Sequence, residues 1–473
     1  MHMKQSSTNN HTKYQVYIYI LTVAVMCTIF GFNLGALIST KLRLVNIFML
    51  EIYDIDSMIN TFLLGAFVGS FLCGRLIAQT GRLQAILGAF IIGVLGHSTS
   101  AMSPTFSTLF ISEFAVGAAF GIYLLASTCY VVELAPSSNR GMCSTLIGVF
   151  FCLGLLIAFL LRNIIAQSNI MVVSTVIVLC IPVLLYAYAR LPESPRYLSL
   201  SESSDRALSV LIKLRNKNSE AARELAAINE CVLGEDRGIN LFFKSSVYRS
   251  VIWILLSTAL LIFFQGCAII PLMTSELCKI YNAAVGALLP HERYELNYIL
   301  IGSIFVGILL ASVFSSYLVD KIGHKAVMLG ACMFNEVLLL FLFILLSLMN
   351  RQFGPYAFAF ILLLFAFSSV ILLNVFITTL LPELLPLKGR EFGLSVCLIT
   401  CYAAIMLCLY LFSRIMHNLG IQFMISFFVI IGAIQYVVLK VAIPETKDQM
   451  LEQMENTIFN ERSLKAIDKK LIQ

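Results

Sequence analysis

The feature that most limits what this chain can fold into is a series of apolar runs, each about 20 residues or longer, separated by short polar breaks. As a helix, such a run matches the ~30 Å hydrocarbon core of a bilayer, whereas a membrane barrel would show strands of roughly 10 alternating residues. Twelve runs qualify, numbered here as spans 1 to 12: 17–39, 57–77, 85–103, 105–133, 141–163, 169–190, 249–278, 296–319, 325–349, 355–382, 391–413 and 420–443. Composition agrees, with 59% of the 473 residues hydrophobic and 12% charged, against about 25% charged in soluble domains. The expected fold class is an all-α membrane protein with twelve transmembrane helices.

The flanks orient these spans. Residues 1–16 are polar and lead into a run of spanning length without a small-residue cleavage site, so they read as a tail rather than a signal peptide. Arg82, Arg140, Lys321, Lys325, Lys388 and Arg390 mark the breaks after spans 2, 4, 8 and 10. The positive-inside rule puts those breaks in the cytoplasm, despite Lys41, Arg43 and Arg293 on the other side. Both termini are then cytoplasmic, the plasma membrane is the expected location, and the sequon Asn10-His11-Thr12 stays unglycosylated. The 13 cysteines lie mostly inside spans and form no CxxC, which fits small apolar fillers rather than disulfides or metal ligands.

The longest polar segment, 191–248, divides the spans six and six. Within it SESSDRALSVLIKLR places Leu208, Leu211 and Ile212 at helical spacing behind Ser and Asp, and NSEAARELAAINECV places Leu225 and Ile228 on one side. Short cytoplasmic helices packed under the bundle are expected. The halves also repeat. Glu133, Pro136 and Arg140 match Glu383, Pro386 and Arg390 at an offset of 250. Pro192-Glu193-Ser194 matches Pro444-Glu445-Thr446 at 252, and Gly81-Arg82 matches Gly323-His324 at 242. The organisation is therefore a tail 1–16, a half 17–190, a loop 191–248, a half 249–443 and a tail 444–473. Two six-helix halves around a shared path is a transporter layout.

These motifs resemble the sugar-porter branch of the major facilitator superfamily over about residues 17 to 450. YVVELAPSSNRG (130–141), LPESPRYL (191–198), IPETK (443–447), DKIGHK (320–325) and GFNLG (31–35) carry the resemblance. It implies a major facilitator fold and a cytoplasmic ion-pair gate formed by Glu133, Arg140, Glu383, Arg390, Arg82, Asp320, His324, Lys325, Glu193, Arg196 and Glu445. The residues support this separately: each proline ends a helix, and a carboxylate in a last helical turn opposes the helix dipole and wants cationic partners. Pairs between the halves would hold that side shut. A set of solvated charges serving topology alone is the alternative.

The sequence departs from the family pattern in two places. In GRLIAQTGRL, Ala78 takes the usual acidic position and Leu83 the second basic one, while His324 stands where Arg is usual. This predicts a thinner gate with a pH-sensitive imidazole. The pathway departs further. The family's helix-5 Gln falls on Gly148 and its helix-8 Asn on Ile308. Its Gln-Gln-x-x-Gly-Ile-Asn motif keeps only Gln265, with Gly266 and Pro271 replacing the second Gln and the Asn. Its helix-10 stretch becomes LNVFIT, holding Asn374 and Thr378, and Cys401-Tyr402 replaces Asn-Trp. Glu113 stands where helix 4 usually carries Arg, roughly 12 Å into the span at 1.5 Å per residue. Its readings are a proton or cation site, a contact to a cationic solute, or a structural bond to Arg162 or another helix. His97 reads as a hydrogen-bonded packing residue, and Glu336 and Glu276 as weaker candidates than Glu113.

Asn33 occupies the helix-1 position where proton-coupled members carry Asp, and an amide takes up no proton in the functional range. The expected function is therefore facilitated diffusion of a sugar or related small polar solute by alternating access. A transporter of a non-sugar organic ion or amphipathic solute, and a non-transporting sensor, are the alternatives. No G-x-x-x-x-G-K-[ST] occurs, which argues against an ATP-driven pump. No enzyme activity, cofactor, metal, nucleic acid or obligate protein partner is implied; the expected partners are a small-molecule solute and membrane lipid.

Overall fold

Eleven helices among the described residues are long and apolar enough to cross a membrane. The computed structural model describes residues 2–39, 52–167, 169–201, 203–215, 218–232, 238–267, 290–348, 355–461, 464 and 467. The sixth expected span is helical over Asn169–Arg190, with a shorter apolar stretch at Val176–Arg190. The span-7 helix, Ser246–Gly266, closes at Cys267. Lys41, Arg43, Pro271 and Glu276 lie outside the described residues, as do the side chains of Arg162 and Arg293. Spans 11 and 12 join through Gly420, whose φ of 82° turns the chain back.

Local chemistry sets the helix ends. Thr105 caps span 4 by accepting from Thr108 N at 3.3 Å. Span 4 stops at Leu134 because Ala135, ahead of Pro136, takes an extended conformation (ψ 141°). One 3-10 turn, Ser137–Asn139, then leads into span 5 at Arg140. The second half repeats the geometry: Leu385 is extended (ψ 136°) before Pro386, and the 3-10 turn Leu387–Gly389 leads into Arg390.

Small residues bring the spans together. Gly65 and Gly69 of span 2 abut the backbone of span 4 at Phe114 and Ala118, and Gly117 and Gly121 of span 4 abut span 2 at Phe62 and Ala66. Gly31 and Gly35 of the GFNLG motif meet span 5 in the same way. Close backbone approach is what stabilises helix pairs where lipid removes the hydrophobic drive. Phe120 fills the centre of this half, against Phe30, Phe62 and Phe151 at 5.2–5.6 Å. Across the halves, span 5 packs on span 8 and span 2 on span 11.

The central loop forms the helices Pro195–Leu200, Ser204–Arg215, Asn218–Val232 and Ile239–Lys244, and the C-terminal tail adds Leu451–Glu461. Leu211, Ala221 and Ile228 bury a small core against Leu387, with Leu208, Ile212 and Leu225 at its edge. These helices sit at the end of the bundle that carries the Glu-Pro-Arg motifs.

Candidate functional site

At the loop end the repeated charges form one buried cluster. Glu133 and Arg82 are 0% exposed and Arg390 is 1% exposed. Glu133 Oε2 lies 3.3 Å from Arg82 Nε in its own half, and its Oε1 accepts from Arg390 Nη1 of the other half at 3.1 Å. Ser194 Oγ also donates to Glu133. The second half mirrors this, with Glu383 accepting from Arg140 across the interface at 3.2 Å and contacting His324 Nδ1 in its own half at 3.1 Å. Thr446 Oγ1 is 2.7 Å from the same imidazole nitrogen.

Three further carboxylates cap helices. Glu193 accepts from Arg82 N and Leu83 N at 3.1–3.2 Å, at the start of span 3. Glu445 accepts from His324 N at 2.8 Å and Lys325 N at 3.1 Å, at the start of span 9. The preceding glycines, Gly81 (φ 96°) and Gly323 (φ 115°), adopt a left-handed backbone, and a Cβ on either would press into the capping carboxylate. Asp320 caps span 5 across the interface, accepting from Gly141 N at 3.0 Å and Met142 N at 2.8 Å. Each carboxylate thus meets the positive end of a helix dipole. Burial pushes the Glu193 carboxyl above its usual value, with the backbone N–H groups of Ser194 and Leu83 partly opposing it.

The cluster is not thinned as the sequence predicts. Ala78 supplies no carboxylate, but Glu391, directly after Arg390, pairs with Arg82 from the other half. Glu391 occupies the position equivalent to Gly141, so the first step after the repeated arginine carries the missing charge. Its place beside Arg390 is the signal that sequence reasoning passed over.

A second layer lies beneath. Arg196 donates to the Glu133 carbonyl and binds Glu452 at 2.7 Å, with Glu224 at 3.6 Å. Arg215 holds Glu224 through two bonds of 2.8 and 3.0 Å and donates to the Leu134 carbonyl at 3.1 Å. The two arginines therefore cover carbonyls at the open end of span 4. Burial alone would raise the Glu224 carboxyl, but Arg215 and then Arg196 outweigh it and hold the group below its ordinary range.

The pathway candidates do not form one constellation. Gln265 is buried and donates to Glu336 of span 9 and to the Phe428 carbonyl of span 12 at 3.3 Å. Gly432 leaves room for that pair. Glu113, also buried, accepts from Asn33 at 2.8 Å and Ser100 at 2.6 Å, and Asn33 Oδ1 faces His97 Nδ1 at 2.7 Å. His97, read from the sequence as a hydrogen-bonded packing residue, has that contact here, with Asn33. Gly148, Asn374 and Thr378 do come together: Gly148 abuts the Asn374 amide, and Thr378 Oγ1 donates to the Asn374 carbonyl at 2.7 Å. Gly266 packs on the neighbouring Leu373. Ile308 packs into an apolar group with Leu155, Phe159 and Phe305. Tyr402 is buried on span 11, where Ser395 bonds the Ser70 carbonyl of span 2 at 2.7 Å. Among the described residues no group of three or more His, Cys, Asp or Glu has the arrangement to hold a metal ion.

The family described as "Sugar (and other) transporter" matches residues 19–458. The chain belongs to the sugar transporter family. Members of this family are transporters, not enzymes. The galactose-proton symporter of Escherichia coli K12 is 25% identical over 98% of each chain. The major myo-inositol transporter IolT of Bacillus subtilis is 25% identical over 84% of each, and the arabinose-proton symporter of E. coli K12 is 24% identical over 94% of each. The fold is that of the major facilitator superfamily. The proton:xylose symporter XylE bound to 6-bromo-6-deoxy-D-glucose superposes with a TM-score of 0.78 at 19% identity, covering 95% of this chain and 99% of its own. XylE from E. coli in an inward open conformation gives 0.62 at 20% identity, covering 93% and 99%.

Proposed function

We propose that this member of the sugar transporter family moves a sugar or related small polar solute by facilitated diffusion, its two halves rocking about a central path. The observation that carries this is the set of buried charge pairs joining the halves at one end: Glu133–Arg390, Glu383–Arg140 and Arg82–Glu391. Opening that end separates all three and hydrates the charges, so they act as a gate. The basic bias of the same end supports a cytoplasmic placement. Asn33 supports uniport, because an amide carries no proton.

Glu113 favours a second reading, proton-coupled transport. Its carboxyl is buried in span 4, its bonds come from neutral donors, and no ion pair to it forms among the described residues. An intramembrane carboxyl of this kind is a natural proton carrier. Uptake into proteoliposomes, against a panel of sugars, polyols and organic ions at two pH values, tests both. Facilitated diffusion gives equilibration without accumulation and no response to a protonophore. Accumulation that collapses with protonophore, and is lost in Glu113→Gln, would replace uniport with symport. Absence of flux for every solute would overturn the transport reading.

A further inference from the structure

One carboxyl inside the membrane, Glu336, has no part in the gate. It lies about 18 Å into span 9 from His324 at 1.5 Å per residue, near the middle of a ~30 Å core. Its side chain is half-buried and docks on two other spans. Gln265 Nε2 of span 7 donates to Glu336 Oε1 and to the Phe428 carbonyl of span 12 at 3.3 Å, which uses both amide hydrogens. Gln265 Oε1, on a side chain 1% exposed, has no hydrogen-bond partner among the described residues. A Cβ on Gly432 would overlap Glu336 Oε1, so span 12 is notched where the carboxyl sits.

No ion pair to Glu336 forms among the described residues. Within about two turns of these contacts, spans 7, 9 and 12 carry no other Asp or Glu and no Lys, Arg or His. Their titratable groups there are Cys267, Cys332, whose thiol donates to the Gly432 carbonyl at 4.0 Å, and Tyr436, whose ring faces Lys440 Nζ at 5.8 Å nearer the loop end. The central stretches of spans 8 and 10, 301–315 and 361–376, carry none. Gln435, one turn from Gly432 toward the loop end, is 0% exposed with both ends of its amide unpaired among the described residues, so polar groups continue from the carboxyl toward that end. A carboxylate held by one neutral donor inside a span is costly. A protonated carboxyl is neutral and accepts the same bond. The first half makes a related pair: Phe32-Asn33 of span 1 corresponds to Phe264-Gln265 of span 7, and Asn33 donates to Glu113 at 2.8 Å.

We infer that the seam of spans 7, 9 and 12 is a proton-binding site, at which Glu336 keeps a proton while docked on Gln265 and Gly432, and that this resident proton holds the second half in its transporting form. Loss of the proton leaves an anion in the seam. The anion draws in water and loosens span 7 against spans 9 and 12. The proton is a structural occupant rather than cargo, so the site operates whichever solute moves and whether or not its movement is coupled to a proton at Glu113.

The test takes infrared difference spectra of the full chain in liposomes between acidic and alkaline pH. The wild type should show a carboxylic C=O band that shifts in D2O and vanishes as pH rises. Glu336→Gln should lose that band, Glu113→Gln should keep it, and Gln265→Leu should move it, because the carboxyl loses its bond. Uptake, measured with whichever probe moves among D-galactose, D-xylose, myo-inositol and a panel of organic ions, should slow roughly tenfold as the band vanishes, the scale of one hydrogen bond. Glu336→Gln, neutral at every pH, should stay fast and flat over the same interval. A wild-type spectrum without such a band overturns the inference and needs no variant to fold. A band unchanged in Glu336→Gln overturns it, as does a band that answers to sodium instead of pH, or a wild-type rate that ignores the loss of the band. If no solute moves, the transport reading fails, while the spectra still decide whether Glu336 holds a proton.

Discussion

The two repeat-related seams of the loop-end cluster carry the same motif, yet both of their carboxylates, Asp320 and Glu391, come from the second half. In the second half, Asp320 ends span 8 and reaches the backbone of Gly141 and Met142 across the interface. At the repeat-related seam Asp320 is matched by Ala78 of the first half and Gly141 by Glu391 of the second, which reaches Arg82. One arrangement is carboxylate to helix N-terminus, the other carboxylate to guanidinium. Both join the halves, so what the two seams share is an anion rather than its address. Partners also differ in kind, since the position of Arg82 is taken in the second half by His324, which contacts Glu383.

The sharpest way to break the comparison is to remove its shared centre. Glu133→Ala takes from buried Arg390 the carboxylate it binds and leaves buried Arg82 with Glu391, and should cost about 3–5 kcal/mol, seen as a large fall in the melting midpoint of purified protein. An unchanged midpoint would mean the pairs contribute nothing. Glu391→Gly copies position 141 and should cost about 2–3 kcal/mol, with Ala78→Asp in the same chain restoring much of it; failure of that rescue would show that the two addresses are not interchangeable. His324→Arg places a fixed cation against Glu383 and should leave transport near neutral pH largely intact, whereas His324→Ala takes that partner away and should slow it; equal rates in the two variants would remove the imidazole from the gate. The smallest effect is expected at Glu224→Gln, about 1–2 kcal/mol. Because Arg215 and Arg196 hold that carboxyl below its ordinary range, its stabilisation is complete above about pH 4 and is lost as pH falls through the lowered value. The variant's stability should therefore fall less steeply in acid, which a melting series down the acid limb reads directly.

Much of this was legible from the chain. Span length follows from bilayer thickness, and Pro136 and Pro386 stop their helices for a covalent reason. The repeated Glu-x-x-Pro-x-x-x-Arg spacing identified groups that lie together at the loop end. Glu391 was missed because its partner, Arg82, is 309 residues away in sequence, and no spacing rule connects them. Gln265 illustrates a different limit. Its motif suggests a solute contact, but the side chain donates to Glu336 and Phe428 within its own half. Rotation about a helix axis decides such a question, and a single residue type does not report it.

Length, hydropathy and turn residues by themselves determined the membrane class, the helix ends and the twofold repeat, because these depend on local covalent geometry and on solvent. Only the tertiary structure decided which charges meet across the halves, that Asn33, His97 and Glu113 form one network, and that Gly148 is the space Asn374 fills. Those facts depend on how separately folded helices approach and rotate, and distant packing sets both.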